Sequence, residues 1–305
     1  MLNNHITTES LTNGEQIALG ILEVTSIPHI SIIDDSPNAI VEVTERYKVE
    51  MGSLLSEVYQ SYKFISMAAG CSKDISIELL WTTTAVENQP YKAQIRLFIL
   101  IRAIERKVDE AIESVSTVVK LVKSTLSLQK YDYKEIDYKE LKPIISKTQD
   151  KIIRAIVKEE KVENLQNQLL PYCYSYDRVP LSNNDLSRIV NSLIDYPDCA
   201  VSMQLIPTVF ESNETAEIDR ITQALDTLSK GVMDQGIGNV SFALAEKHAE
   251  VYRYYSEHKS NSVFLFNVII YGDNTSISNI TSRVYSQLSS GIQESASLKT
   301  IDLHR

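Results

Sequence analysis

Three stretches of this sequence carry residue types suited to phosphate, metal or acid–base chemistry. The first is Gly231-Val232-Met233-Asp234-Gln235-Gly236-Ile237-Gly238. A phosphate loop needs Lys, then Ser or Thr, after its last glycine, because the Lys reaches the β- and γ-phosphates and the hydroxyl ligates magnesium. Here Gly236 precedes Ile237 and Gly238 precedes Asn239, and no Gly-Lys dipeptide occurs anywhere in the sequence. The stretch therefore reads as a flexible turn between two helices. No nucleotide hydrolysis is expected of these residues.

The second set is the histidines, His5, His29, His248, His258 and His304. Only His248 and His258 are near each other, and ten residues do not bring both to one side of a helix as an i,i+4 spacing would. Glu246-Lys247-His248 is not a zinc motif, so surface histidines are expected. The third set is the adjacent acids Asp34-Asp35 and Glu159-Glu160. Neither pair has a recognisable partner set, and no Gly-x-Ser-x-Gly elbow occurs. No catalytic, cofactor-binding or metal-ligating residue is assigned. What remains is Tyr252-Arg253-Tyr254-Tyr255, where aromatics flank an arginine. Such a group can stack on bases, anchor a protein interface or simply pack a helix on a sheet. Tyr252, Arg253, Tyr255 and Met233 are the expected partner contacts, with protein ahead of nucleic acid because the formal net charge is -10.

The elements that must carry these residues follow from periodicity. At 305 residues, 43% hydrophobic and 23% charged, the chain is long enough for two ordinary globular domains. Its cysteines, Cys71, Cys173 and Cys199, are too scattered for a disulfide framework or a zinc site, which suggests buried reduced thiols and a cytoplasmic protein. No run approaches the length of a membrane helix, and residues 1–5 lack a secretory signal.

Residues 1–38 read as an N-terminal arm, within which 17–22 and 27–33 have short strand character. A strand over 39–48, a helix over 49–68 closed by Gly70, strands over 75–84 and 92–103, a helix over 107–126 and an edge strand over 131–138 follow. The strand at 92–103 is apolar on both faces, so a central position is expected. Residues 141–170 are a charged connector, although 152–158 has strand character. The pattern then recurs: an aromatic strand over 171–176, a helix from Asn183 to about Ile194, a strand over 199–208, helices over 214–232 and 242–258, a strand over 263–271, a helix ended by Gly291, and a closing strand over 298–303. The implied fold is α+β, with two split-βαβ (ferredoxin-like) units in tandem over 39–140 and 171–305, the second carrying a helical insertion at 214–258.

Val201-Ser202-Met203-Gln204-Leu205-Ile206-Pro207-Thr208, then helices carrying Ala245-Glu246-Lys247, then the strand from Val263 and its helix, are similar to the region preceding the motor core in HerA/FtsK-class ATPases. That class includes conjugative type IV secretion ATPases and archaeal HerA-like proteins. The resemblance covers roughly 170–303 and extends more weakly over 40–130. It implies an assembly and partner-docking module without chemistry of its own. The module would form a homo-oligomer, hexameric if part of a motor, with ATP and magnesium needed only by a motor absent from these residues. Nucleic acid would be met only indirectly. A stand-alone interaction or regulatory adaptor is the alternative. A third class, an enzyme with a site assembled from distant residues, would be revealed by turnover that depends on Glu246 or His248.

Overall fold

The computed structural model describes residues 5–26, 75–86, 89–128, 131–146, 151–158, 161–165, 170–175, 192–208, 210–229, 239–258, 263–289 and 298–303. The expected strand at 39–48, the helix at 49–68 and most of the helix from Asn183 lie outside them. In chain order the described elements are β1 (Thr7–Ser10), β2 (Gln16–Ser26), β3 (Ile75–Val86), β4 (Gln89–Glu105), α1 (Val108–Leu128), β5 (Asp132–Glu135), α2 (Tyr138–Ser146), β6 (Ile152–Lys158), β7 (Lys161–Asn164), β8 (Tyr172–Ser175), β9 (Ala200–Thr208), α3 (Ser212–Ser229), α4 (Asn239–His258), β10 (Val263–Gly272), α5 (Asn274–Ser289) and β11 (Leu298–Leu303).

The chain is mixed α and β around one large antiparallel sheet. Its nine described strands run β1-β2-β4-β3-β9-β10-β6-β11, and β5 also pairs with β2. β1 and β5 share one edge of β2: β1 pairs with Gln16 to Leu19 and β5 with Leu22 to Ser26. The longest pairing is the β3–β4 hairpin, from Ile75 opposite Ala103 to Val86 opposite Gln89. Phe98, Ile99, Leu100 and Ile101 of β4 are all buried, which fits the continuous apolar run of an inner strand covered on both faces.

Alternation divides these residues between two layers. Leu97, Ile99 and Ile101 of β4 join Ile77, Leu79 and Trp81 of β3, Val201 and Met203 of β9, and Val268 and Ile270 of β10 in the main core. Helices α1 and α5 cover that face. α1 contributes Ala111, Val115, Val118, Val119, Val122 and Leu126, spaced by three and four residues along one stripe. Valine is a poor helix former, so packing against the sheet, together with Asp109 and Glu110 at the positive helix start, must hold this helix. α5 contributes Ile277, Ile280, Val284 and Leu288. Its start is capped reciprocally: Asp273 Oδ1 accepts the Ser276 backbone N–H at 2.8 Å, and the Asp273 N–H donates to Ser276 Oγ at 3.0 Å. The Ser276 N–H and hydroxyl, followed by the Thr275 N–H, hold the Asp273 carboxyl below its ordinary range. The opposite face of the sheet carries a smaller cluster, in which Leu141 of α2 meets Ile21, Leu80, Phe98, Leu100, Ile136 and Ala200.

Three parts of the chain differ from expectation. Residues 16–26, expected within an N-terminal arm, form an inner strand. Residues 152–158, expected within the connector, form β6, which lies between β10 and β11 with Ile156 fully buried. The aromatic strand at 171–176 does not enter the main sheet. As β8 it pairs, among the described residues, only with β7, in a separate two-stranded ribbon. The reason is packing: Cys173 faces a satellite core with Leu165, Leu170 and the apolar stripes of α3 and α4, while Tyr172 is exposed.

α1 lies very close to β2. A Cβ added at Gly20 would sit 2.8 Å from Val119 Cγ2 and 2.9 Å from Val115 Cγ1. Gly20→Ala must therefore push α1 off the sheet and is expected to cost about 1–3 kcal/mol, measured by urea unfolding, despite the methyl gained. A variant as stable as the parent would show that the helix does not seat on Gly20.

Candidate functional site

The expected partner contacts fall on the insertion, whose architecture explains where each one lies. α3 and α4 run antiparallel. Ile218, Ile221, Ala224 and Leu225 of α3 face Ala245, Ala249 and Tyr252 of α4. Polar bonds join the middle of α3 to the last turns of α4. Ser256 Oγ donates to Asp219 Oδ1 at 2.8 Å, Thr222 Oγ1 donates to the Tyr252 carbonyl at 3.3 Å, and Arg253 Nε donates to Asp226 Oδ1 at 2.7 Å.

Of the four expected contacts, Tyr252 is only 1% exposed and is a core residue of this hairpin. Tyr255 is half-buried, edge-on to Phe210 at 6.1 Å between ring centroids. Arg253 is at the surface, tied to Asp226. Met233 and the rest of the glycine-rich stretch 231–238 lie outside the described residues. The outer side of α4 presents Glu246, Glu250, Arg253 and Glu257, all exposed, so the free surface of the hairpin is mainly acidic. His248, expected at the surface, is buried at 4% exposure. Its neighbours in sequence are charged, but Ala245, His248, Ala249 and Tyr252 repeat at the spacing of a buried helical face, which is the signal that places it inward.

The other cysteines and acids are dispersed. Cys173 and Cys199 are buried and free, while Cys71, Asp34-Asp35 and Glu159-Glu160 lie outside the described residues. Cys199 Sγ is 3.2 Å from Ser276 Oγ, and burial pushes its thiol up, away from the reactive thiolate. Among the described residues no three His, Cys, Asp or Glu side chains are grouped to hold a metal ion, and no helix is long and apolar enough to cross a membrane.

Sequence reasoning missed the most concentrated polar arrangement, which sits where the two halves of the sheet meet. Glu78 of β3 is 5% exposed. Its carboxylate pairs with the Arg102 guanidinium of β4, accepts the Ser202 hydroxyl of β9 at 2.7 Å and accepts Gln204 Nε2 at 3.3 Å. Strand register dictates this meeting: Glu78 lies opposite Gln204, Leu80 opposite Ser202, and Ser76 opposite Arg102. A lone Glu on the less apolar side of an otherwise apolar strand was the available signal. An open cleft of about 350 Å³ lies over the group, and Thr82, Tyr138 and Tyr271 also line it. The buried Thr82 hydroxyl has no hydrogen-bond partner among the described residues. Three partners on one carboxylate make a fixed structural network that ties β4 and β9 through β3.

Neither the family models nor the curated proteins contain a match to this chain.

A buried carboxylate with several partners is costly to break from one side, because the other charge is left unpaired. Glu78→Ala is expected to lower stability by about 2–4 kcal/mol, with the discount that Arg102 keeps some solvent. Replacing both with leucine should cost less than the single change. Equal losses for Glu78→Ala and the double variant, measured by denaturant titration, would show that the two side chains do not act as a pair.

Proposed function

We propose that this chain is a non-catalytic assembly and partner-docking module, built from two split-βαβ units in tandem. The observation that carries the reading is strand order. Take β2, β3, β4 and β5 as the first to fourth strands of one unit, and β6, β9, β10 and β11 as those of the other. The spatial orders β5-β2-β4-β3 and β9-β10-β6-β11 are then both fourth, first, third, second, read from opposite ends. Every neighbouring pair is antiparallel, and α1 and α5 each join a third strand to a fourth. The segments that would cross from first to second strand, 27–74 and the greater part of 159–199, fall largely outside the described residues.

In this reading the helix-covered sheet is a rigid platform and the α3–α4 hairpin is the docking arm. The acidic outer face of α4, with Arg253 at its centre, selects a partner presenting basic and polar groups. The resemblance of 170–303 to the pre-motor region of HerA/FtsK-class ATPases makes a DNA-translocating or secretion motor the proposed larger machine. Reading the gene past codon 305 tests that part. A Gly-x-x-x-x-Gly-Lys-Ser/Thr loop in frame, or in an adjacent gene, supports it, and neither would leave the adaptor reading in its place.

The assembly part is tested on the chain itself. Sedimentation is expected to give an oligomer whose size is unchanged by salt, because apolar and main-chain contacts are not screened as exposed charges are. ATP turnover by the purified chain is expected to be nil. A strict monomer at high concentration overturns the assembly reading, and turnover that disappears on changing Glu246 or His248 overturns the non-catalytic one.

A further inference from the structure

The two ends of the main sheet are unlike. At one end β1 and β5 are four residues each and rich in charge, with Glu9, Asp132, Lys134 and Glu135. Lys123 of α1 pairs with Glu135, and Lys134 pairs with Glu140 of α2. Short, charged, tied-down strands are the usual way a sheet edge is protected from further pairing. β11, at the other end of the described strands, is longer at six residues and carries only two charges, Lys299 and Asp302. It runs Leu298-Lys299-Thr300-Ile301-Asp302-Leu303 without proline or glycine. Its inner side pairs fully with β6, from Leu298 opposite Lys158 to Leu303 opposite Ile153. Lys299 to Leu303 are all exposed, with Ile301 at 37% and Leu303 at 42%. Its acid, Asp302, is already held by Arg154 Nε at 2.6 Å.

We infer that β11 is the seam of a two-fold dimer, pairing antiparallel with β11 of a second copy of this chain. This rests on the assembly reading above and names its surface, occupant and register. An antiparallel two-fold stands normal to the sheet and passes between a residue and its own copy, so few registers are available. With the axis at Ile301, Ile301 faces Ile301 of the second copy, Thr300 faces its Asp302, and Lys299 faces its Leu303. No like charges oppose each other. One row becomes apolar, with the Lys299 stem lying along Leu303. The other row sets a hydroxyl donor opposite a carboxylate. An axis at Thr300 would require Leu298, which is buried and whose carbonyl accepts the Tyr285 hydroxyl at 3.0 Å. The fold itself supplies the precedent, since β3 and β9 already join a five-stranded and a four-stranded array by antiparallel edge pairing with their faces continuous.

The test uses the whole chain. Ile301→Cys, oxidised gently, is expected to give a disulfide-linked dimer, whereas Lys299→Cys, which faces Leu303 of the second copy, gives far less. Ile301→Lys places two like charges at the axis and is expected to weaken the dimer at least about tenfold in sedimentation equilibrium. If the parent chain is oligomeric but indifferent to Ile301→Lys, and Ile301→Cys does not cross-link, assembly uses another surface; this inference then falls while the assembly reading stands. A parent chain that sediments only as a monomer removes both.

Discussion

Six residue pairs along β3 and β9, from Ile77 opposite Leu205 to Thr82 opposite Ala200, join the two halves of the main sheet. The rest of the fold depends on this seam. It is fastened in two ways. On one face, Glu78 gathers Arg102, Ser202 and Gln204. At one end, the pairing continues past the strand register: the Thr83 N–H donates to the Cys199 carbonyl at 2.9 Å, the Cys199 N–H donates to Thr83 Oγ1 at 2.9 Å, and the Asp198 N–H donates to the Thr83 carbonyl at 3.1 Å. Asp198 takes a left-handed backbone, φ 54°, to make that turn, a conformation Asp tolerates better than most residues. Backbone groups buried at this depth must be paired, so the seam cannot open without leaving donors and acceptors unsatisfied.

One consequence is that the helices act on a single core. α1 packs on β2 and β4, α5 packs on β10 and β6, and the residues beneath them belong to one apolar cluster that runs through Trp81 and Val201 at the seam. The α3–α4 hairpin differs, because it has its own core with Leu165, Leu170 and Cys173 of β8. A satellite with separate packing can open or accept substitution without disturbing the sheet.

Legibility in the sequence followed local pattern. β4, β9 and β10 are long apolar runs, and α1 and α5 have clear stripes, so their positions were readable to within a few residues. β6 was ambiguous because Lys151, Arg154 and Lys158 punctuate a run of only seven residues, and its inner position depends on β10 and β11, which are far away in sequence. β8 misled in the opposite direction: Tyr172, Cys173 and Tyr174 have strand composition, yet Tyr172 is exposed and the core that Cys173 serves is the satellite. His248 was expected at the surface because no metal-ligand spacing claimed it, while its helical spacing with Ala245, Ala249 and Tyr252 points inward. For the Glu78 group the sequence offered only the lone acid in an apolar strand, because strand register, not sequence spacing, brings Glu78, Arg102 and Ser202 together.

The central claim is that the seam makes one continuous sheet of the two halves. Native-state hydrogen exchange measures this directly, residue by residue. If β3 and β9 are inner strands of one sheet, the amides of Leu79, Leu80, Trp81, Val201 and Met203 should belong to the slowest-exchanging class and open together with the β4 amides. If the seam amides exchange as fast as those of β1, or the two halves open at separate free energies, the halves are independent bodies in contact and the account of a fused platform is wrong.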